Sequence, residues 1–185
     1  MLDERGNRID GYEIGEFRGN KPYNPSLGWN GIGLKVMDKY DKGNNEWIEM
    51  YNSKNEWSVA YHGVGRNQCS KKVKKITGKI IKGYENNKKE NFKADGAQLH
   101  QGCNDIYHNG NQVRMGVYCT PTIKTAEGYW GVSTINGINY KTVLMVRIKC
   151  DAIRGCNCPC AKDFCVVNGS TDEIRPSQIL YKKKV

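Results

Sequence analysis

Three long stretches of this chain have the pattern of β-strands. In Glu56 to Gly63, apolar and small residues alternate with a period of two up to a His-Gly pair, which predicts a half-buried strand. Lys141 to Lys149 is a nearly continuous apolar run and is predicted to be a central strand. Glu173 to Tyr181 is predicted to be the last strand, interrupted by Pro176.

Shorter strands are predicted at Gly31 to Met37, at Val117 to Cys119 and at Phe164 to Val167. The dipeptide Asn136-Gly137 is a strong hairpin signal, so Ile135 to Tyr140 predicts a tight turn between two strands.

Two segments have helical spacing. Val73 to Ile80 carries apolar residues three and four positions apart with lysines between them, which predicts an amphipathic helix packed on the sheet. Thr122 to Trp130 predicts a second helix, with Thr120 or Thr122 at its N-cap. Trp47 to Tyr51 fits either a short strand or one helical turn.

The remaining stretches define the domain organisation. Residues 1–50 begin with many glycines and prolines and are predicted to form an irregular N-terminal arm packed on the same domain, which comprises residues 51–185. Asn86 to Gly116 has little periodicity and is predicted to be a long surface loop. Short strands, few helices and mostly local connections together indicate an α+β fold.

The charge of the chain narrows the class of partner. The formal net charge is +10, and much of the excess lies in Lys71 to Lys93. Such a charge attracts a dinucleotide, a nucleic acid or an acidic protein surface, although a solvated basic face has the same pattern. No apolar run approaches the ~20 residues of a membrane span. Because the N-terminus is acidic and lacks an apolar core, we expect a cytoplasmic or nuclear protein without membrane segments, or an excised domain.

The cysteines are unevenly distributed. Five of the eight lie between Cys150 and Cys165, in a spacing without the paired C-x-x-C hairpins of a zinc site. A domain of this size does not need disulfides to be stable. We therefore predict that these cysteines are reduced thiols and that they bind no metal. The sequence does not indicate a function for Cys150 to Cys165.

Several polar residues follow His62 in an order that suggests a shared site. Tyr118 ends a predicted strand, Tyr129 lies eleven residues later in the predicted helix, and Glu173 begins the last strand. Taken singly, each tyrosine could be an aromatic residue of the core, and Glu173 could be an ordinary exposed charge. In combination, over about residues 56 to 181, this sequence resembles the catalytic domain of poly(ADP-ribose) polymerase-like ADP-ribosyltransferases, the His-Tyr-Glu branch that also includes diphtheria toxin.

The resemblance implies the ADP-ribosyltransferase fold, two packed and mostly antiparallel β-sheets with a few flanking helices, and an enzyme that uses NAD as substrate. Its catalytic residues fall on His62, Tyr118 and Glu173. Glu173 would stabilise the oxocarbenium-like ribose, bond its 2′-hydroxyl and orient the acceptor. His62 would hold the adenosine-side ribose, and the Gly63 backbone would pair with the carboxamide. Tyr129 would stack on the cationic nicotinamide ring while Tyr118 closes the other side.

The chain departs from that family at two positions. Ala126 stands where many relatives carry the Ser that bonds the carboxamide, so NAD would be held with one hydrogen bond fewer. Pro176 follows Glu173 closely, so the carboxylate could instead align with Asp172.

We expect transfer of a single ADP-ribose, because the chain shows no elaborated acceptor site. We also expect the protein to be a monomer. The acceptor is a protein side chain or a nucleic acid that contacts Lys71 to Lys93. Two alternatives remain: a module that binds ADP-ribose or nucleic acid without turnover, and an NAD glycohydrolase.

Overall fold

The structure is a computed structural model that describes residues 17–50, 52–63, 101–102, 107–108, 111–112, 116–129, 131–155, 165–167 and 172–184. In chain order its strands are β1 (Phe17–Arg18), β2 (Lys21–Pro22), β3 (Asn30–Gly33), β4 (Ser58–Gly63), β5 (Gln101–Gly102), β6 (Tyr107–His108), β7 (Asn111–Gln112), β8 (Gly116–Cys119), β9 (Gly131–Ile135), β10 (Ile138–Ile148), β11 (Arg154–Gly155), β12 (Cys165–Val167) and β13 (Ile174–Lys183). The helical elements within these ranges are α1 (Ile123–Glu127) and the short 3-10 helices Asp41–Gly43, Glu46–Ile48 and Cys150–Ala152.

Two antiparallel sheets make up most of the described structure, and the few helices are consistent with the predicted α+β class. The larger sheet has the order β3-β13-β10-β4, with β9 also pairing to β10, and the smaller has the order β11-β12-β8-β5. Strands β1 and β2, and strands β6 and β7, form two separate pairs. The predicted long loop, Asn86 to Gly116, therefore contains the short strands β5, β6 and β7, which are too short and too polar to show a period.

Strand β10 is the centre of the larger sheet, as its apolar run predicted. It pairs with β13 on one side and with β4 and β9 on the other. Its residues from Thr142 to Ile148 are all buried. The hairpin signal is also confirmed, because Asn136 and Gly137 have φ values of 49° and 77° between β9 and β10. Two positive φ values at the central residues are those of a type I′ turn, whose twist matches that of the flanking strands.

Strand β13 runs through Pro176, so the predicted interruption is wrong. The pairing with β10 shifts between Met145 and Val146, which leaves Ser177 as the extra residue of a β-bulge. Strand β3 pairs only with residues Gln178 to Tyr181 of β13. Pro176 therefore lies at a bulge beyond the end of β3, where a missing N–H disturbs little of the hydrogen-bond ladder.

Part of the predicted N-terminal arm belongs to the larger sheet. Strand β3 lies at one edge, and it is shorter than the strand predicted at Gly31 to Met37. The 3-10 helix at Glu46–Ile48 agrees with the helical alternative for Trp47 to Tyr51. Helix α1 is shorter than predicted, and the hydroxyl of its N-cap residue Thr122 bonds Thr125 Oγ1 at 2.8 Å instead of a backbone N–H.

The two sheets enclose a shared apolar core. Val117 and Cys119 of β8 belong to the same buried cluster as Ala60 of β4 and Leu144 and Val146 of β10. Beyond β8, the backbones of Tyr61 and Thr120 exchange hydrogen bonds of 2.8 and 3.0 Å. The sheets are thus joined by this pair and by the core between them.

Buried ion pairs connect the N-terminal segment to the larger sheet. Glu56 has a fully buried carboxylate that accepts a 2.8 Å hydrogen bond from Arg147 of β10 and lies 3.5 Å from Arg18 Nε. Arg147 also donates to the carbonyls of Trp57, at 2.9 Å, and Glu49, at 3.2 Å. Burial lowers the pKa of Arg147, and the hydrogen bond that Arg147 donates to Glu56 opposes that shift.

A second buried arginine, Arg175 of β13, is enclosed by aromatic rings. Its guanidinium lies 4.2 Å from the ring centre of Trp57, 4.4 Å from Tyr40 and 4.9 Å from Trp47. It also donates to both carboxylate oxygens of Asp41 at 2.7 and 2.8 Å. These hydrogen bonds hold the pKa of Asp41 below its usual value, with desolvation opposing them.

Some predictions fall on residues that the structure does not describe. They include the helix Val73 to Ile80, the basic segment Lys71 to Lys93 and residues 156–164 of the Cys-rich segment. Among the described residues, no helix has the length and apolar character needed to cross a membrane.

Replacing Glu56 by Gln should destabilise the fold strongly, because it leaves Arg147 charged and buried without its carboxylate. We expect a loss of about 3–5 kcal/mol in the free energy of unfolding, measured by urea denaturation. Asp151→Asn is the matched control, since Asp151 pairs with Lys149 at 3.4 Å with side chains 72% and 49% exposed. That variant should lose less than about 1 kcal/mol. Equal losses in the two variants would contradict the prediction.

Candidate functional site

His62 is fixed between the two sheets. It lies on β4, is 4% exposed, and its Nδ1 is 2.9 Å from the backbone oxygen of Tyr118 on β8. A carbonyl oxygen only accepts hydrogen bonds, so Nδ1 must carry the proton and donate it. In the neutral ring, Nε2 is then the nitrogen that carries a lone pair.

Gly63 brings helix α1 against the end of β4. A Cβ atom at Gly63 would lie 2.5 Å from the Cβ of Tyr129 and 2.8 Å from the carbonyl oxygens of Ala126 and Tyr129. Real side chains do not tolerate such distances to backbone atoms. Only glycine fits here, and its close contact places Tyr129 beside Gly63, on the side of β4 opposite to the His62 ring. The Tyr129 side chain is 49% exposed.

Tyr118 and Ala126 complete the group in different ways. Tyr118 is partly buried on β8 and contributes its backbone oxygen to His62. Ala126 is 1% exposed and packs in an apolar cluster with Tyr61 and Val143. Its backbone oxygen, which accepts a 2.9 Å hydrogen bond from Tyr129 N, is the part of Ala126 next to Gly63.

Glu127 anchors α1 to the larger sheet just before Tyr129. Its Oε1 accepts hydrogen bonds from Lys141 Nζ at 2.6 Å and Lys182 Nζ at 3.1 Å, and these lysines face each other on β10 and β13. The Lys141 hydrogen bond is the main reason why the pKa of Glu127 lies below its usual value, and Lys182 adds to it against desolvation. Sequence reasoning missed this group, because its lysines are adjacent only in the sheet.

A short series of hydroxyls between β8 and α1 was also missed. Thr122 Oγ1 is 3.3 Å from Thr120 Oγ1 and 2.8 Å from Thr125 Oγ1. The T-P-T-x-x-T pattern was the available signal, since such spacing places three hydroxyls across the first turn of a helix.

The structure does not bring Glu173 to this group. The backbone oxygen of Glu173 accepts a 2.9 Å hydrogen bond from Lys149 N, whereas His62 pairs with Leu144 on the same strand β10. Leu144 and Lys149 are five positions apart (149 minus 144), which corresponds to about 17 Å along the sheet. Two strand spacings add roughly 10 Å across it. The catalytic role assigned to Glu173, or to its neighbour Asp172, stays a prediction.

Comparison of the chain with protein-family models, with curated proteins and with solved structures finds no match. The site is therefore assessed from its own geometry. We define the His-Tyr cluster as His62, Gly63, Tyr118, Ala126 and Tyr129. It offers a half-exposed aromatic ring, a fixed imidazole and closely packed backbone, which suit a planar heterocyclic ligand.

Replacing Gly63 by Ala should push α1 away from β4. We expect a loss of about 1–3 kcal/mol in the free energy of unfolding, because the new methyl group meets backbone atoms that cannot rotate away. Gly128→Ala is the control on the same helix, since a Cβ there meets only the Thr125 carbonyl oxygen, at 3.2 Å. Its stability should change by less than about 1 kcal/mol. A neutral Gly63→Ala variant would show that α1 is not held against β4.

The anchoring of α1 by Glu127 should depend on pH. Its folded-state pKa is depressed, so its stabilising contribution is present above the unfolded-state pKa and is lost as the pH falls through the folded-state pKa. The stability difference between wild type and Glu127→Gln should be constant near about pH 6 and decrease toward about pH 3. Chemical denaturation at several pH values measures it. A difference independent of pH would contradict the Lys141 and Lys182 contacts.

Proposed function

We propose that this protein is an NAD-dependent ADP-ribosyltransferase that binds NAD at the His-Tyr cluster. The observation that carries this proposal is the proximity of His62-Gly63, Tyr118 and Tyr129, which come from β4, β8 and the end of α1. The resemblance in sequence assigns these same residues to the NAD site. The proposal includes the ADP-ribosyltransferase fold, which is supported by two packed antiparallel sheets.

In this site NAD is bound mainly by shape and by aromatic contact. The exposed face of Tyr129 suits the cationic nicotinamide ring. The resemblance assigns the carboxamide to the backbone of Gly63, whose missing side chain lets α1 and Tyr129 pack directly against it. The resemblance assigns a ribose hydroxyl to His62, whose Nδ1 donates to Tyr118 O. Its ring is 4% exposed and its Nε2 is buried, so this contact requires local opening around the ring.

The reaction breaks the bond between nicotinamide and ribose and forms a bond from the ribose to an acceptor. The bonding electrons leave with the pyridinium nitrogen, which makes nicotinamide neutral, and the acceptor loses one proton. The ribose is positively charged in the transition state, so a carboxylate near it accelerates the reaction. The resemblance assigns this role to Glu173, which lies outside the His-Tyr cluster.

A second candidate function follows from that separation. A domain with the His-Tyr cluster but without a carboxylate at the ribose binds NAD or ADP-ribose and does not turn it over. Glu127, the carboxylate on α1, does not replace Glu173 in this respect, because it is held by Lys141 and Lys182.

The acceptor belongs to the proposal as well. A net charge of +10 supports a nucleic acid or an acidic protein as the molecule that receives ADP-ribose. Water as acceptor corresponds to a glycohydrolase. We also propose that the protein is a monomer and that it is located in the cytoplasm or the nucleus.

NAD labelled separately in its nicotinamide and its adenine tests these functions. We expect wild type to release nicotinamide and to transfer the adenine label to an acceptor. Tyr129→Ala should weaken NAD binding by about 5- to 30-fold, the equivalent of roughly 1–2 kcal/mol, whereas Tyr129→Phe keeps the ring and the affinity. Ile138→Ala is the control, because Ile138 is 37% exposed in the distant β9–β10 hairpin.

Each result identifies one function. NAD binding without nicotinamide release supports the second candidate, and release without label transfer indicates the glycohydrolase. If wild type neither binds NAD nor releases nicotinamide, both proposals fail. Transfer to nucleic acid that weakens with rising salt supports a polyanionic acceptor.

Glu173→Ala separates binding from chemistry. We expect the variant to bind NAD within about twofold of wild type, because its carboxylate lies far from the His-Tyr cluster. A loss of nicotinamide release at unchanged affinity assigns the catalytic role to Glu173. Unchanged release excludes that role. Asp151→Ala is the comparison, since Asp151 is a 72% exposed carboxylate that pairs with Lys149, the residue whose backbone N donates to the Glu173 carbonyl.

A further inference from the structure

A cavity of about 600 Å³ lies on the face of the larger sheet opposite to His62. Its walls include the apolar side chains of Trp29, Val59, Met145 and Leu180. Successive residues of a strand point to opposite faces, so Val59 and His62, which are three positions apart on β4, point away from each other. None of the residues of the His-Tyr cluster lines this cavity.

Two buried arginines reach the cavity. Arg18 and Arg147 are 2% and 7% exposed, and both line it. They share one buried carboxylate, Glu56, so this group of three has a net charge of +1 away from bulk water. Glu49 also lines the cavity, but it is exposed, and solvent screens its charge.

Two exposed methionines stand at the mouth of the cavity. Met37 and Met50 line it and are 54% and 49% exposed. Methionine is flexible and polarizable, and it adapts to apolar ligands of different shapes. The cavity therefore combines apolar side chains at its entrance and along its walls with a cationic group at a buried position.

We propose that this cavity binds a small amphipathic anion, a carboxylate that carries an alkyl or aromatic body. The carboxylate faces Arg18, whose planar guanidinium matches it in shape and charge. Arg147 contributes its charge only, because its Nη groups already donate to Glu56 and to the backbone carbonyls of Ile48, Glu49 and Trp57. The apolar body lies along Trp29 and leaves the cavity between Met37 and Met50. A volume of about 600 Å³ is in the range of cavities that enclose one small organic molecule.

The same features argue against other ligands. A nucleotide carries two or more negative charges on its phosphates, whereas the group of Arg18, Arg147 and Glu56 has a net charge of +1, so a monoanion is the better match. A cation would be repelled by the excess of buried positive charge. A neutral apolar molecule would fit the walls but would gain nothing from the two arginines.

Isothermal titration of the full chain with decanoate, decanol and decyltrimethylammonium tests the proposal. These probes share one alkyl chain and differ in the charge of the head group. We expect decanoate to bind at least about tenfold more tightly than decanol, and the cation not to bind. Equal affinities for decanoate and decanol would overturn the proposal, because the arginines would then have no part in binding.

Exposed residues at the mouth test the location without disturbing the core. Met50→Glu should weaken decanoate binding by at least about tenfold, because it places a negative charge at the entrance. Ile138→Glu is the matched control, an exposed apolar residue outside the cavity, and it should change the affinity by less than about twofold.

Two results would overturn the location. Equal effects of Met50→Glu and Ile138→Glu would show that decanoate binds nonspecifically. Displacement of decanoate by NAD would show that the two ligands share one site. Both results leave the nicotinamide-release assay to decide the proposed transferase activity separately.

Discussion

Arg147 and Arg175 occupy directly opposed positions on β10 and β13, and both side chains are buried. Like charges directly opposite on neighbouring strands destabilise a sheet, and burial adds a desolvation penalty. Each arginine therefore requires its own counter-charge, Glu56 for Arg147 and Asp41 for Arg175. Both acids belong to the segment before β4, so the centre of the larger sheet is complete only when residues 40–57 are packed on it.

This requirement explains how an irregular, turn-rich segment is held in one position. Its own secondary structure is two short 3-10 helices, which supply little stability on their own. Its aromatic residues enclose Arg175, and its backbone carbonyls accept hydrogen bonds from Arg147. The same contacts orient β4, which directly follows Glu56. The position of His62-Gly63 thus depends on charges that are buried several residues earlier in the chain.

The predictable part of this fold is the part that depends on local sequence. The apolar run of β10 and the Asn136-Gly137 turn were predicted because burial on both faces and positive φ leave direct signals in residue types. The course of β13 through Pro176 was not predictable, because a bulge depends on which partner ends beside it. The register in which β4, β10 and β13 pair also cannot be read from the local sequence of any one strand. Chain order placed Glu173 with His62, whereas the pairing of β4, β10 and β13 separates them.

The candidate site combines residues that could be found from sequence with contacts that could not. His62, Gly63, Tyr118 and Tyr129 were selected by type and order, but they meet through the backbone oxygen of Tyr118 and the close approach of α1 to Gly63. These contacts are made by backbone atoms. They determine where β4, β8 and α1 meet, but they do not determine which side chains surround the site. In the proposed transferase, binding and bond cleavage are therefore separate requirements: binding would fall to the His-Tyr cluster, and cleavage would need a carboxylate at the ribose.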